Sequence, residues 1–158
     1  MIHYVHGDIL LSKAQLIAHG IAPGDHFLHG LALALRERWP AMAKDFRHYC
    51  HVSHPKPGTA WLWGGPGIRI ANLLTQEPAR SEGQTPGKAT FQAIAGSLKA
   101  LRALVEDEGI ESLALPRLAT GVGGQNWDDV KPLIEQHLGE LAIPVYVYEL
   151  YEHGVEAE

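Results

Sequence analysis

The stretch from Leu115 to Trp127 constrains the fold more than any other part of the chain. An apolar run ends at Leu115, glycines follow at positions 121, 123 and 124, and Asn126 begins a helical pattern. A strand, a glycine-rich loop and a helix start, in this order, are typical of α/β folds, where ligands lie beyond the carboxyl ends of strands. The loop either makes a tight turn only, or its backbone N–H groups surround a phosphate.

Strand and helix patterns alternate along the rest of the chain. Predicted strands cover residues 2–5, 15–19, 59–63, 68–74, 111–115 and 144–150, and predicted helices cover 31–46, 91–105 and 126–138. Pro40 should split or kink the first helix. The strands at 59–63 and 68–74 should form a hairpin with a longer turn, and residues 48–58 and 75–88 read as loops. This order predicts a three-layer α/β/α fold with a central mixed sheet.

Composition limits the class of protein. The 158 residues correspond to one domain, which we place at residues 1–151, with a frayed tail at 152–158. A formal net charge of −5 disfavours a broad electrostatic grip on duplex nucleic acid. Cys50 is the single cysteine, and the sequence has neither a secretory signal pattern nor an apolar run long enough for a membrane span. We expect a cytoplasmic monomer without a cofactor and without membrane contact.

Three further clusters carry polar groups that can do chemistry. Asp8, after the first strand, either caps a turn or accepts a hydrogen bond from an exocyclic amine. The segment 18–32 leads from a strand through a loop to Gly30, and it holds Asp25, His26 and His29, which are either acid–base groups or solvated loop residues. The histidines and cysteine of 48–54 read better as a histidine-rich helix end than as a zinc site.

Four separated segments together resemble macrodomains. They are V-H-G-D-I at the first strand, A-H-G-I-A-P-G-D-H-F-L-H-G-L-A at the second, A-N-L-L-T-Q at the fourth, and L-P-R-L-A-T-G-V-G-G-Q-N-W-D-D-V at the glycine loop. They occur in the order that the family shows, and the resemblance extends from Ile2 to about Leu150. Within this family, the chain is similar to the branch that contains the ADP-ribosyl-glutamate hydrolases and the antitoxin that removes ADP-ribose from DNA.

The resemblance implies an ADP-ribose cleft at the carboxyl edge of the sheet. Asp8 would bind the adenine amine, with Ile9 alongside. Two loops would clasp the diphosphate, and the segment after the fourth strand would form part of the distal-ribose wall. The residues implied in the two loops and the wall are Ala22, Gly30, Leu31, Thr75, Gln76, Thr120, Gly121, Val122, Gly123 and Gly124.

The chain departs from this resemblance where its hydrolytic members carry reactive groups. Gln76 replaces a lysine, Gly123 replaces an aspartate, and Ala22 replaces an asparagine near the distal ribose. A glutamine amide cannot act as a nucleophile or base. Asp25 and His29 are then the candidate catalytic residues.

Three functions remain compatible with the sequence. The first is an ADP-ribose-binding macrodomain that hydrolyses ADP-ribosyl linkages on protein or nucleic acid. The second is a non-catalytic module that reads ADP-ribose or a related nucleotide, and the third is a phosphatase for ADP-ribose 1″-phosphate. The expected partner is ADP-ribose or an ADP-ribosylated macromolecule.

Overall fold

The computed structural model describes residues 1–81 and 84–158, so the centre of the predicted 75–88 loop, at 82–83, lies outside the described residues. Its strands are β1 (Ile2–Gly7), β2 (Leu16–Ile21), β3 (Ala60–Gly65), β4 (Ile68–Leu74), β5 (Leu113–Pro116) and β6 (Val145–Tyr151). Its helices are α1 (Gly30–Arg38), α2 (Pro40–Ser53), α3 (Phe91–Asp107) and α4 (Trp127–Leu138), with a 3-10 turn at Ile9–Leu11. No helix in the described ranges is long and apolar enough to cross a membrane.

The strands form one mixed sheet in the order β1-β6-β5-β2-β4-β3. Neighbours from β1 to β4 pair in parallel, and β3 pairs with β4 in the antiparallel sense. The carboxyl ends of β2, β4 and β5 therefore meet at one edge, which is where α/β folds place their ligands. The predicted mixed sheet is confirmed.

The two faces of the sheet carry different helices, which confirms the three-layer architecture. Along β4, Ala71 and Leu73 pack in the cluster that contains the apolar faces of α3 and α4. Ile70 and Leu74 pack in the cluster that contains Phe46 and the other buried residues of α1 and α2. Because successive side chains of a strand point to opposite faces, β4 is covered on both sides.

Pro40 divides the first helical segment as predicted. α1 ends at Arg38 and α2 begins at Pro40, where a proline is tolerated because the first N–H groups of a helix have no intrahelical partner. The prediction of a loop from residue 48 is wrong, because α2 continues to Ser53. Its last turn buries Cys50, and His54 ends the helix in the left-handed conformation before Pro55.

The hairpin is also tighter than predicted. Gly64 and Gly65 belong to β3, and Gly65 pairs with Ile68, so only Pro66 and Gly67 form the turn. Gly67 has a φ of +73°, a conformation that glycine adopts without a steric penalty. Alternation of apolar residues predicted the two strands, but it did not locate their last pair.

The tail, which the sequence predicts to be frayed, has defined contacts in the structure. The backbone N–H of Glu152 donates to the carbonyl of Gly7 at 2.9 Å, and that of Gly154 donates to Oδ2 of Asp8 at 3.0 Å. Ala157 is partly buried against the end of β1. β6 lies beside β1 in parallel, so residues that leave β6 come directly to the carboxyl end of β1, where backbone groups have no strand partner.

Candidate ligand-binding site

A cavity of about 170 Å³ opens at the carboxyl ends of β2, β4 and β5. The loop between β2 and α1 forms one side, the loop between β5 and α4 forms the other, and His19 and Gly20 of β2 line it between them. The glycine loop thus lines a cavity at the carboxyl edge of the sheet, where the sequence predicts a ligand site. Both loops bring backbone N–H groups to the cavity, and such groups hold an anion without burying a charged side chain.

The β2–α1 loop, residues 22–29, ends at the amino terminus of α1. Gly30 is the first residue of this helix, with a φ of +57°, and Gly30 and Leu31 line the cavity. The Asp25 carboxylate accepts a 2.7 Å hydrogen bond from the N–H of Phe27, a buried residue that itself has a φ of +59°. This contact holds the turn at residues 25–27, and the amino terminus of α1, which carries the positive end of the helix dipole, borders the cavity.

The β5–α4 loop, residues 117–126, is anchored on both sides of its glycines. The N–H of Gln125 donates to the carbonyl of Ala119 at 2.8 Å, and the carbonyl of Gly123 accepts from the N–H of Ala89 at 3.0 Å. A Cβ at Gly123 would lie 2.8 Å from the Ala119 carbonyl oxygen, whereas a Cβ at Gly121 would meet open space. Both glycines line the cavity, but the packing of the loop requires a glycine at 123, whereas position 121 has room for a side chain.

The buried end of the cavity is polar. His19 is fully buried, and its Nε2 lies 2.7 Å from Oδ1 of Asn72, the residue that it pairs with on β4. Burial lowers the pKa of His19 to about 4, although the bond to Asn72 opposes this change, so the ring is neutral at pH 7. Its Nδ1 has no hydrogen-bond partner in the described ranges.

Gln76 is committed to structure. Its side chain is buried, its Nε2 donates to the carbonyl of Gly87 at 3.1 Å, and its backbone forms a bridge with Ala89. These contacts hold the two ends of the 75–88 loop together beside the cavity. The residue that replaces the lysine of hydrolytic macrodomains therefore helps to build the wall, and its amide does not supply a reactive amine.

A second, larger cavity of about 850 Å³ adjoins the first. Asp25 and His29 line both cavities. Other lining residues are Ala22 from the β2–α1 loop, and Arg47, His48, Cys50, His51 and His54 from α2 and its end. Across residues 1–81 and 84–158, no three histidine, cysteine, aspartate or glutamate side chains are grouped to hold a metal ion.

Asp8 and Ile9 lie apart from both cavities. Each is buried, with 4% of Asp8 exposed, and neither is among the described residues that line the two cavities. Oδ1 of Asp8 accepts from the N–H of Leu10 at 3.0 Å, which caps the 3-10 turn. The capping role considered for Asp8 is therefore present, and its other oxygen accepts from Gly154 in the tail.

The structure brings together part of the predicted set. The smaller cavity is lined by Gly30, Leu31, Gln76, Gly121, Val122 and Gly123, together with Asp25 and His29. Thr75, Thr120 and Gly124 lie outside the described lining of both cavities, and Thr120 instead donates from Oγ1 to the carbonyl of Arg117. His19 and Arg117 line the smaller cavity without having been predicted. The sequence does carry a signal for each of them: His19 lies inside the apolar strand β2, and Arg117 follows the apolar strand β5 directly.

Comparison with known proteins identifies the family. The Macro domain model matches residues 27–134. A DNA ADP-ribosyl transferase-DNA ADP-ribosyl glycohydrolase fusion protein of Thermosipho africanus is 30% identical over 91% of this chain and 40% of its own length. Human ADP-ribose glycohydrolase OARD1 is 24% identical over 94% of this chain and 91% of its own length. The chain therefore belongs to the Macro domain family, and the macrodomain resemblance is confirmed.

A solved structure supports the same fold. Thermosipho africanus DarTG in complex with ADP-ribose superposes with a TM-score of 0.82 at 22% identity, over 98% of this chain and 42% of that chain. This chain thus spans about two fifths of the length of the Thermosipho africanus protein, and it spans most of the length of OARD1.

Proposed function

We propose that this macrodomain binds ADP-ribose, with the diphosphate and distal ribose in the smaller cavity and with the adenine amine at Asp8, as the macrodomain resemblance implies. The observation that carries the proposal is the convergence of the α1 amino terminus and the β5–α4 glycine loop on one cavity at the carboxyl edge of the sheet. Gly30 of α1 and Gly121 of the β5–α4 loop both line it, so backbone donors from two separate segments can approach a diphosphate. The names of the relatives, which are glycohydrolases of ADP-ribose or of ADP-ribosylated DNA, support this ligand.

Binding can be tested with a substitution that fills the cavity without disturbing the fold. A Cβ at Gly121 meets open space and its φ is not positive, so Gly121→Val should fold and project its side chain into the diphosphate position. Gly64→Val is the matched control, because Gly64 has the same freedom on the β3 strand, away from both cavities. Calorimetry should show that Gly121→Val weakens ADP-ribose binding more than about tenfold, which is roughly 1.4 kcal/mol. Equal affinities in the two variants would reject this site.

Hydrolysis of the bond between ADP-ribose and its acceptor is a second candidate function. It is favoured by the position of Asp25 and His29, which stand where the smaller cavity meets the larger one. In such a reaction water attacks C1″ of the distal ribose, the bond to the acceptor breaks, and the proton of the water is transferred by Asp25 or His29 to the departing acceptor. The larger cavity offers room for an acceptor group on the far side of that bond.

One panel of assays identifies both the acceptor and the reaction. Asp/Glu-, Ser-, Arg- and DNA-linked ADP-ribose and ADP-ribose 1″-phosphate are offered to the protein, and free ADP-ribose and phosphate are measured. Hydrolysis predicts release of ADP-ribose that is lost in Asp25→Asn or in His29→Ala and kept in the control His137→Ala, on α4. Release that survives both changes would reject the catalytic assignment. Release of phosphate and ADP-ribose from ADP-ribose 1″-phosphate, with no release from the linked substrates, would indicate the phosphatase. No release from any substrate would leave a module that reads ADP-ribose.

A further inference from the structure

Residues 152–158, here called the tail, cross the carboxyl end of β1. The N–H of Glu152 donates to the carbonyl of Gly7 at 2.9 Å, and the N–H of Asp8 donates to the carbonyl of Val155 at 2.8 Å. The N–H of Gly154 donates to Oδ2 of Asp8 at 3.0 Å. The tail thus contacts both the backbone and the side chain at the position where the adenine amine is proposed to bind.

These contacts close the approach to Asp8. One carboxylate oxygen accepts from Leu10 within the 3-10 turn, the other accepts from Gly154, and only 4% of the residue is exposed. A Cβ placed at the neighbouring Gly7 would lie 2.8 Å from both the Val155 carbonyl oxygen and the Ala157 Cβ, so the tail lies directly against the strand end. An adenine amine cannot reach this carboxylate while the tail is in place.

The size of the smaller cavity also indicates that the base lies outside it. Its volume of about 170 Å³ is below the roughly 300–1,000 Å³ of pockets that enclose a drug-sized ligand. The smaller cavity therefore accommodates the diphosphate and ribose part of ADP-ribose. Because the adjoining larger cavity is assigned to the acceptor group, the base needs space elsewhere. The covered surface at Asp8 is the place that the proposed function assigns to that base.

The tail buries little apolar surface, since residues 152–156 and 158 are exposed and Ala157 is partly buried. Its far end is attached by the Glu158 carboxylate, which accepts hydrogen bonds from Ser12 and Tyr148. The Lys13–Glu156 ion pair is long at 3.9 Å and exposed, so it adds little. Val155 is 42% exposed, and a segment with so little buried apolar surface opens at low cost in free energy.

We propose that the tail is a displaceable cover on the adenine subsite, and that it competes with the base for the Asp8 carboxylate. Binding of ADP-ribose exchanges the Gly154 N–H for the adenine amine at Asp8 and moves the tail away from the end of β1. A ligand that lacks the base leaves the cover in place. This inference rests on the proposed function, since it assumes that Asp8 receives adenine.

Two tail variants test the cover by different means. Gly154→Pro removes the N–H that donates a hydrogen bond to Asp8. Because proline cannot adopt the φ of +75° found at this position, the substitution detaches the middle of the tail. Glu158→Ala removes the acceptor for Ser12 and Tyr148, so it detaches the far end. The control is Glu156→Gln, which changes only the weak pair with Lys13. Each is titrated by calorimetry with ADP-ribose and with ribose 5-diphosphate, which has no adenine.

The cover predicts that Gly154→Pro and Glu158→Ala bind ADP-ribose about tenfold more tightly than the wild type, while ribose 5-diphosphate is unaffected. In the wild type, hydrogen exchange at the Gly154 amide should accelerate when ADP-ribose is added. Unchanged or weaker ADP-ribose binding in both variants would overturn the proposal and make the tail a fixed wall. Equal tightening for both ligands would also overturn it. Failure of every protein to bind ADP-ribose would instead reject the proposed function.

Discussion

His19 couples the buried end of the site to the stability of the fold. Burial lowers its pKa to about 4, so the folded protein binds fewer protons than the unfolded chain between pH 6.5 and 4. Its contribution to the free energy of unfolding is complete above pH 6.5 and is lost as the pH falls through this window, at about 1 kcal/mol per pH unit. The free energies of unfolding of the wild type and of His19→Gln, measured in urea, should therefore approach each other as the pH is lowered. A difference between these two free energies that stays constant with pH would contradict a buried neutral histidine.

Single residues show where reasoning from sequence stops. Glycine-rich composition indicated the β5–α4 loop, yet it could not separate Gly123, where the packing against Ala119 requires glycine, from Gly121, where a side chain has room. Asp8 was correctly recognised as a capping candidate, but its second contact, with Gly154, joins residues 146 positions apart in sequence. Such long-range contacts leave no local pattern.

Helix caps give a test at the level of elements. Oδ1 of Asn126 accepts from the Asp128 N–H at 3.1 Å at the start of α4, and Oγ1 of Thr90 accepts from the Ala93 N–H at 3.0 Å at the start of α3. Substituting alanine for Asn126 or Thr90 should each cost about 1 kcal/mol in the free energy of unfolding.

His29 is the matched control for the two caps. It occupies the cap position of α1, but its side chain makes no capping hydrogen bond with the described chain. His29→Ala should therefore change the free energy of unfolding by no more than about 0.5 kcal/mol. A loss at His29 as large as at Asn126 or Thr90 would show that the side-chain bonds are not what stabilises these helix starts.

Elements were predictable where their signals are local. Asn126 caps α4 and Pro40 begins α2, since capping and the missing proline N–H act within one turn. The end of α2 was not predictable, because the two prolines and the glycine at positions 55–58 give the whole segment 48–58 the character of a loop. Residues 48–53 remain helical because Cys50 packs into the cluster around Phe46. Tertiary burial thus decides the boundary that local composition leaves open.

At the scale of the whole molecule, the order of the strands places the site. Alternating strand and helix patterns were sufficient to predict the three layers, and the parallel arrangement then brings the ends of β2, β4 and β5 to one edge. The two adjoining cavities, which are both lined by Asp25 and His29, could not be predicted. Their shapes depend on how separate loops pack against each other.

An ADP-ribose titration followed by amide NMR decides whether the cavity between α1 and the β5–α4 loop is the ADP-ribose site. We predict saturable shifts concentrated at the amides of Gly30, Leu31, Gly121 and Val122, which line that cavity from both sides. The amide of Gly64, at the hairpin, serves as the internal reference and should not move. Absence of shifts at saturating ADP-ribose, or shifts confined to the histidine-lined larger cavity, would contradict the assignment.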